Sequence, residues 1–468
     1  MKKLIAKIVI ILMITLVPRT GYGMNAKINE LFTLINKNKI SELASKLKSD
    51  PSFKDILNFK QIIIPGSIKN GTLLHVAAYK ENLAAAQLLV AYGADANIKD
   101  ANEKKPRQVI PAATLIKEQK HPSSTRRISY LLEAAEVKRY AKISIEQYEK
   151  MVGFMNQTKG KGQETGGNVY GKWENELPVI EFVMGTGPLM KATSVSFYDD
   201  AAYLIYSGTL FMVSGYEHLG GWHSHHTLET FPQPSGGDAS TAVGAMNTYN
   251  RDHFLICISR FEGEEKETIF RPYIFEKNNS SPSEACWQFD TELSKESNKL
   301  EAKFEEQLKL PSLGYIAYVI AEDKIEELLQ KKPEYKDFIK KNINLTFDYK
   351  THKQVTLLHV TVIENSLQVA QLLVNLGANV NAQNGDGQTP LFLAIQKVSI
   401  PVVEYLLSLD SITPSLTLES GGRTPLEFVN YALSFEQMQN PATPILQQKK
   451  VNYEKIKDLL EKKAGKKT

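Results

Sequence analysis

Three histidines stand within four positions of this sequence, in the stretch GGWHSHHTLETFPQPSGGD from Gly220 to Asp238. Alternate side chains of a strand point to the same face, so a strand through HLGGWHSHH would present the imidazoles of His223 and His225 together. A Pro-rich loop then separates them from Asp238 and is long enough to fold back. Two imidazoles and one carboxylate leave a fourth tetrahedral position for water, which is typical of a catalytic rather than a structural zinc site. We therefore predict that these three residues bind Zn2+.

An upstream acid could complete this chemistry, because a zinc-bound water needs a base to take its proton. Glu164 stands in QETGGNVYG, beside paired glycines that let backbone segments approach closely. Ser235 precedes the predicted carboxylate ligand by three positions. His226 would point away from His225 in a continued strand, so it is left out of the site. The simpler alternative is a polar loop in which histidines cluster by chance, and the ordered presence of Glu164 and Ser235 favours the metal site.

The order of these motifs resembles a known family. The segments ETGGNVYG, GTGP, HLGGWHSHH, PSGGD and FLICIS follow one another as in the JAMM-motif metalloproteases of the MPN-type fold, and the bacterial members with a GEWHSHP-like strand are most similar. The resemblance implies that Glu164 is the catalytic glutamate and that His223, His225 and Asp238 are the zinc ligands. It also implies that Ser235 helps to hold the tetrahedral intermediate.

The sequence departs from the family pattern at the loop. Nine residues, His226 through Pro234, separate the second histidine from the serine, two more than is usual in the family. The position of His226 is usually occupied by proline. Because the entropy of closing a loop rises slowly with its length, such an insertion need not move the ligands.

The resemblance also implies a reaction, which is hydrolysis of the isopeptide bond between ubiquitin, or a ubiquitin-like protein, and a lysine. The chain is then a JAMM-type zinc metalloprotease acting as a deubiquitinase. Cleavage of ordinary peptides by the same site stays open. A catalytically silent scaffold that only binds proteins is the second alternative.

The sequence also contains internal repeats. Thr356, Thr389 and Thr424 are 33 and 35 positions apart and open similar segments, and GTLLHVAAYKENLAAAQLLVAYGADANIKD repeats the unit from Gly71 to Asp100. This period and the LLxxGAxxN pattern resemble ankyrin repeats. The resemblance implies stacked helix pairs with concave surfaces for protein partners, and the flanking helical segments are interpreted as caps.

Between the repeats, aromatic, β-branched and glycine residues increase. PVIEFVM, HLGGWH, HFLICIS and YIFEK are typical of short strands, while SIEQYEKMVGFMN and AVGAMNTYN are typical of helices. We therefore expect a multidomain protein with a central α/β (α+β) MPN-like metalloprotease domain between two all-α ankyrin modules. The predicted parts are a signal peptide (1–23), the N-terminal cap and repeats (24–141), the metalloprotease domain (142–290), a helical linker (291–312) and the C-terminal cap and repeats (313–468).

The N-terminal segment MKKLIAKIVIILMITLVPRTGYG has basic residues, a short apolar run and small residues at its end, as signal peptides do. An uncleaved anchor or initiation at Met24 are the alternatives. We expect no membrane span in the mature chain and, at a net charge of +4, no nucleic-acid partner. The two cysteines are too few for a disulfide framework or a four-cysteine zinc site. Together, a signal peptide, ankyrin repeats and a ubiquitin-cutting domain suggest a secreted bacterial effector that acts on a host cell.

Overall fold

The structure is a computed structural model of the 468-residue chain. Most of the predicted signal peptide (1–23) and most of the predicted linker (291–312) lie outside the residues that it describes. Among the described residues, no helix is long and apolar enough to cross a membrane. The described residues are 22–111, 124–158, 164–189, 191–192, 197–198, 201–225, 234–262, 267–277, 279, 281–290, 292–293, 304, 311–435 and 443–465.

These residues form two compact units. The first comprises Met1–Gly185, Ala192–Tyr198 and Phe211–Glu301, and the second comprises Thr186–Lys191, Asp199–Leu210 and Ala302–Thr468. The predicted central domain (142–290) is therefore divided, because two of its segments pack in the core of the second unit. The predicted N-terminal module, in contrast, belongs to the same unit as the central sheet.

The N-terminal module of the first unit consists of short helices and one hairpin. Thr72 caps a repeat helix in a capping box, in which its backbone N–H donates to Nδ1 of His75 at 3.1 Å. The prediction of an all-α module was incomplete, because a two-stranded antiparallel hairpin precedes that helix. The elements are α1 (Tyr22–Asn36), α2 (Ile40–Ser49), α3 (Phe53–Ile56), β1 (Ile62–Ile64), β2 (Ile68–Gly71), α4 (Leu73–Tyr79), α5 (Leu83–Ala91), a 3-10 helix (Pro106–Val109) and α6 (Ser124–Glu136).

The rest of the first unit is built on one eight-stranded mixed sheet, whose strands lie side by side in the order Ser283–Glu284, Glu267–Glu276, His253–Glu262, Glu217–Ser224, Gly166–Glu174, Leu177–Gly185, Tyr140–Ile143 and Cys286–Phe289. The four segments with strand patterns in the sequence all form strands of this sheet. The elements of this part of the chain are β3 (Tyr140–Ile143), α7 (Ile145–Asn156), β4 (Gly166–Glu174), β5 (Leu177–Gly185), β6 (Lys191–Ala192), β7 (Phe197–Tyr198), α8 (Ala201–Val213), β8 (Glu217–Ser224), α9 (Gly236–Thr248), β9 (His253–Glu262), β10 (Glu267–Glu276), β11 (Ser283–Glu284) and β12 (Cys286–Phe289). The short strands β6 and β7 are not part of the eight-stranded sheet, and α8 has residues in both units.

Helices pack on both faces of this sheet, which explains the buried apolar residues on both sides of β9. On β9, Leu255 and Cys257 join a core that includes residues of α7, whereas Ile256 and Ile258 pack with Ala242 of α9. The alternation along β9 therefore assigns one face of the sheet to each helix. The face toward α9 is the one that carries the predicted site.

The N-terminal module and the sheet share their packing. β12 runs parallel to β3 at the edge of the sheet, and Cys286 of β12 lies in the core of the N-terminal module. The rings of Tyr92 and Phe289 meet edge to face with centroids 5.1 Å apart. The predicted boundary between residues 141 and 142 falls inside β3, which is held by hydrogen bonds to the sheet. Cys286 and Cys257 are both buried and are not joined by a disulfide.

The second unit is a stack of helix pairs with its own apolar core. His359 repeats the arrangement of the first module, since its Nδ1 accepts from Thr356 N–H at 3.2 Å. Leu189, from the middle of the chain, is buried in the same core. A hairpin again corrects the all-α prediction. The elements are α10 (Leu313–Ala321), α11 (Ile325–Lys331), α12 (Tyr335–Asn342), β13 (Phe347–Tyr349), β14 (His352–Val355), α13 (Leu357–Ile363), α14 (Leu367–Asn375), α15 (Pro390–Gln396), α16 (Ile400–Ser408), a 3-10 helix (Asp410–Leu416), α17 (Pro425–Ser434) and α18 (Pro444–Gly465).

The central strand β8 depends on a glycine, and Gly220→Ala tests this dependence. Gly220 has φ +152°, and a Cβ there would overlap the carbonyl of Leu255 on β9. Strain and overpacking together predict a loss of roughly 3 kcal/mol or more in the free energy of unfolding. Urea unfolding followed by tryptophan fluorescence measures it, because all three tryptophans of the chain lie on strands of this sheet.

The matched control is Gly244→Ala. Gly244 lies in α9 with open space around the position of a Cβ. Alanine should leave the same transition unchanged or raise the free energy of unfolding by up to about 1 kcal/mol, because it favours the helix. Equal stability of the two variants would show that the close approach at Gly220 does not limit the sheet.

Candidate metal centre

Two antiparallel strands, β4 and β8, bring the predicted site together. Their register sets Gly166 opposite His223, and the ladder continues one residue beyond the start of β4, since Ser224 N–H donates to the carbonyl of Thr165 at 2.8 Å. The next pair in this register would be Glu164 and His225. The side chains of these two residues and of His223 therefore point to the face covered by α9, as alternation along each strand requires.

The approach of β4 to β8 depends on Gly167. A Cβ there would overlap the carbonyl of Met184 and press on Nε1 of Trp222. The indole N–H of Trp222 donates to that carbonyl at 2.8 Å, and its ring stacks on Phe154 of α7 with centroids 5.8 Å apart. The buried indole thus ties β8 to β5 on the face opposite the histidines, which fixes the strand that carries them.

Asp238 lies in the first turn of helix α9, which positions its carboxylate. Ser235 is the N-cap, and its Oγ accepts the N–H of Asp238 at 3.2 Å, while Oδ2 of Asp238 accepts the N–H of Ser235 at 2.6 Å. Ala242 and Met246 anchor the helix on the apolar face of β9. The capping box therefore sets the orientation of the Asp238 side chain.

The three predicted ligands converge on one point. Nε2 of His223 lies 3.0 Å from Nε2 of His225 and 3.2 Å from Oδ1 of Asp238, and Nε2 of His225 lies 3.8 Å from Oδ2. Among the described residues, these three alone form a group of three or more side chains with the spacing of metal ligands. Tetrahedral zinc with bonds of 2.0–2.1 Å would set its ligand atoms about 3.3 Å apart. The nitrogen and oxygen donors and their spacing thus fit Zn2+.

The charge on Asp238 also fits a cation site. Burial raises the pKa of this carboxyl, but the hydrogen bond and charge of His223 and the hydrogen bonds of Ser235 outweigh it and lower the pKa to about 2. Asp238 is therefore ionised at neutral pH, as a carboxylate ligand must be.

Glu164 lies beside the ligands and has a different electrostatic environment. It is 7% exposed. Burial has the largest effect on its pKa and raises it, His223 lowers it and Asp238 raises it, and together they raise the pKa to about 6. Desolvation thus makes this carboxylate a stronger base than an ordinary glutamate. The site thus contains two carboxyl groups with different pKa values. Asp238 stays ionised at neutral pH, whereas Glu164 takes a proton more readily.

Ser235 is exposed at the N-terminus of α9. Because a hydroxyl can donate and accept at the same time, its O–H remains a donor while Oγ caps the helix. His226 and the rest of the loop through residue 233 lie outside the described residues. Ser224 was not among the residues predicted for this site, and alternation places it on the opposite face of β8. In the structure its Oγ accepts the N–H of Thr165 at 2.9 Å, and its position between two predicted ligands was the available signal.

Comparisons with known proteins identify the repeats. Residues 319–428 match the family model for ankyrin repeats in three copies, and residues 70–101 match the model for a single ankyrin repeat. The ankyrin repeat protein FPV219 of fowlpox virus (strain NVSL) is 40% identical over 52 residues, which are 11% of this chain and 12% of that protein. The chain thus matches about an eighth of the length of this relative. Both segments are ankyrin repeats, which confirms that prediction and supports the binding of protein partners.

Among solved structures, the solution structure of protein DSY2949 from Desulfitobacterium hafniense is 17% identical, with 34% of this chain and 97% of that chain covered and a TM-score of 0.27. The predicted mixed α/β content is confirmed by the structure, whereas the relation of the central sheet to the MPN-type fold stays a prediction.

The donor set predicts that the purified chain binds about one zinc ion, as a single three-ligand site implies. The double variant His223→Ala, His225→Ala should lose the metal, because two of three donor atoms disappear, while tryptophan fluorescence reports an intact sheet. Elemental analysis after dialysis measures occupancy. His352→Ala, in the hairpin of the second unit, is the control and should retain the metal. Full zinc occupancy in a folded double variant would refute the assignment.

Proposed function

We propose that this chain is a zinc-dependent isopeptidase of the JAMM type that hydrolyses ubiquitin or ubiquitin-like lysine conjugates. The observation that carries the proposal is the position of Glu164, a buried carboxylate of raised pKa, beside the converging donor atoms of His223, His225 and Asp238. A binding site for metal alone would need no such base. A perturbed acid beside a ligand cluster is typical of hydrolytic centres.

The chain's own residues account for the proton transfers. Zinc bound by the two histidines and Asp238 would supply a Lewis acid that acidifies water and polarises the carbonyl. Glu164 takes a proton from water as the water oxygen bonds to the carbonyl carbon. It returns that proton to the leaving nitrogen as the C–N bond breaks. The hydroxyl of Ser235 donates to the negative oxygen of the tetrahedral intermediate.

The identity of the substrate rests on the resemblance of the motif to the family rather than on the geometry of the site. If the leaving nitrogen is a lysine ε-amine, the reaction is removal of ubiquitin or a ubiquitin-like protein. Ordinary peptides require the same proton transfers and are the alternative substrates. A panel of ubiquitin chains of defined linkage, a ubiquitin-like conjugate and unmodified peptides would separate these classes.

The ankyrin repeats supply the partner-binding part of the proposal. The match to ankyrin repeats supports binding of a protein partner, and we infer that the repeats select the conjugated protein whose lysine is released. Secretion, and action of a bacterial effector on a host cell, rest on the sequence of residues 1–23 together with this domain combination. N-terminal sequencing of the exported protein tests the cleavage after Gly23.

The variant Glu164→Gln separates the enzyme from a silent scaffold. Glutamine keeps the size of the side chain and its capacity for hydrogen bonds but cannot take the proton. We expect kcat on a ubiquitin–lysine isopeptide to fall by about 10²-fold or more, with zinc content and unfolding midpoint retained. Kinetics and metal analysis on the same sample provide the measurement.

Glu174→Gln is the matched control for this experiment. Glu174 is exposed at the other end of β4, where it pairs with Lys142 at 3.4 Å. It should retain wild-type kcat. Near wild-type turnover by zinc-loaded Glu164→Gln would rule out Glu164 as the base, whereas loss of zinc would make Glu164 a ligand.

A further inference from the structure

The serine between the two histidine ligands makes an unusual contact with the strand that carries Glu164. Oγ of Ser224 accepts the backbone N–H of Thr165 at 2.9 Å, and Ser224 N–H donates to the carbonyl of Thr165 at 2.8 Å. In an antiparallel hydrogen-bonded pair the two backbones normally exchange both bonds. Here the return bond from Thr165 goes to a side chain. Ser224 is 0% exposed and Thr165 is 4% exposed, so water cannot replace this bond.

This contact lies one residue from the proposed base. Glu164 precedes the first residue of β4 by two positions, and Thr165 is the residue that connects it to the ladder. The planar peptide between Glu164 and Thr165 includes the N–H that Ser224 accepts. The direction of that peptide therefore determines where the carboxylate of Glu164 lies relative to His223 and His225.

We propose that Ser224 is a positioning residue for Glu164, which it orients through the N–H of Thr165. The inference rests on the proposed function. Ser224 lies on the face of β8 opposite His223, as alternation along the strand requires. Its hydroxyl couples the strand of the base to the strand of the metal ligands, so that both reach the site in one fixed register.

The first test is Ser224→Ala in the full chain. The buried N–H of Thr165 loses its acceptor, and a small displacement of a catalytic group costs up to about 10²-fold in rate. We expect kcat on the ubiquitin–lysine isopeptide to fall by about 10- to 100-fold with KM unchanged, because substrate binding does not involve Glu164. Zinc content should stay at the wild-type value. Amide hydrogen exchange at Thr165 should accelerate, and this readout does not depend on activity.

The chain offers a matched control in Ser259. This residue is opposite Ser224 in the register of β8 and β9, is also 0% exposed, and its hydroxyl has no hydrogen-bond partner among the residues that the structure describes. Ser259→Ala removes an equally buried hydroxyl from the neighbouring strand. It should change neither kcat nor the exchange of Thr165.

A second pair of variants keeps the test valid if Ser224→Ala does not fold. Ser224→Thr retains the hydroxyl. Ser224→Val has nearly the same shape as the threonine variant but lacks the hydroxyl. The threonine variant should exceed the valine variant in kcat by about tenfold or more, the scale of a misplaced catalytic group. Equal kcat in this pair would overturn the proposal.

A double variant decides whether Ser224 acts through Glu164. In the background of Glu164→Gln, Ser224→Ala should cause little further loss of kcat, because the base it positions is already absent. The same fold-loss in both backgrounds would mean that the serine acts elsewhere, and the proposal would fall. An inactive wild-type enzyme would count against the proposed function itself. An active wild type with an equally active Ser224→Ala would overturn only the role of Ser224.

Discussion

The antiparallel pairing of β4 with β8 is the constraint on which the site depends. It sets Gly166 opposite His223 and therefore leads Glu164 to the edge where His225 lies. The pairing is close because Gly167 leaves no side chain between the Trp222 indole and the carbonyl of Met184. A shift of the register between β4 and β8 by one residue would place Glu164 on the face of the sheet opposite the histidines, because side chains alternate along a strand. The apolar faces on both sides of the sheet make such a slip costly.

Asp238, the third predicted ligand, is positioned by interactions other than the pairing of β4 with β8. The site can therefore accommodate an unusually long loop after His225. The loop after His225 is two residues longer than the resemblance predicts, yet the position of Asp238 depends on the capping box with Ser235 and on the packing of α9 against β9. Both interactions are local to the helix. The length of the preceding loop therefore changes the entropy of its closure, which varies slowly, rather than the position of the carboxylate.

Local patterns predicted much of this structure. Alternation in HLGGWHSHH predicted that His223 and His225 share a face, and the repeat period predicted the ankyrin segments. Non-local pairing left no such signal. β12 pairs with β3, although more than a hundred residues separate them in the sequence. Leu189 follows β5 in the chain but packs in the core of the second unit. The raised pKa of Glu164 and the contact of Ser224 with Thr165 also depend on neighbours that the sequence places far apart.

The two ankyrin modules accordingly have different physical relations to the sheet. β12 is an edge strand, and exposed edges invite pairing with other chains. The N-terminal module covers this edge with α5, and Cys286 and Phe289 of β12 are packed among its side chains. Its repeat therefore contributes to the stability of the sheet whether or not it also binds a partner. The C-terminal repeats have a separate apolar core and belong to another compact unit. The stability of these repeats therefore derives from packing within their own unit, where neighbouring helix pairs bury one continuous apolar core.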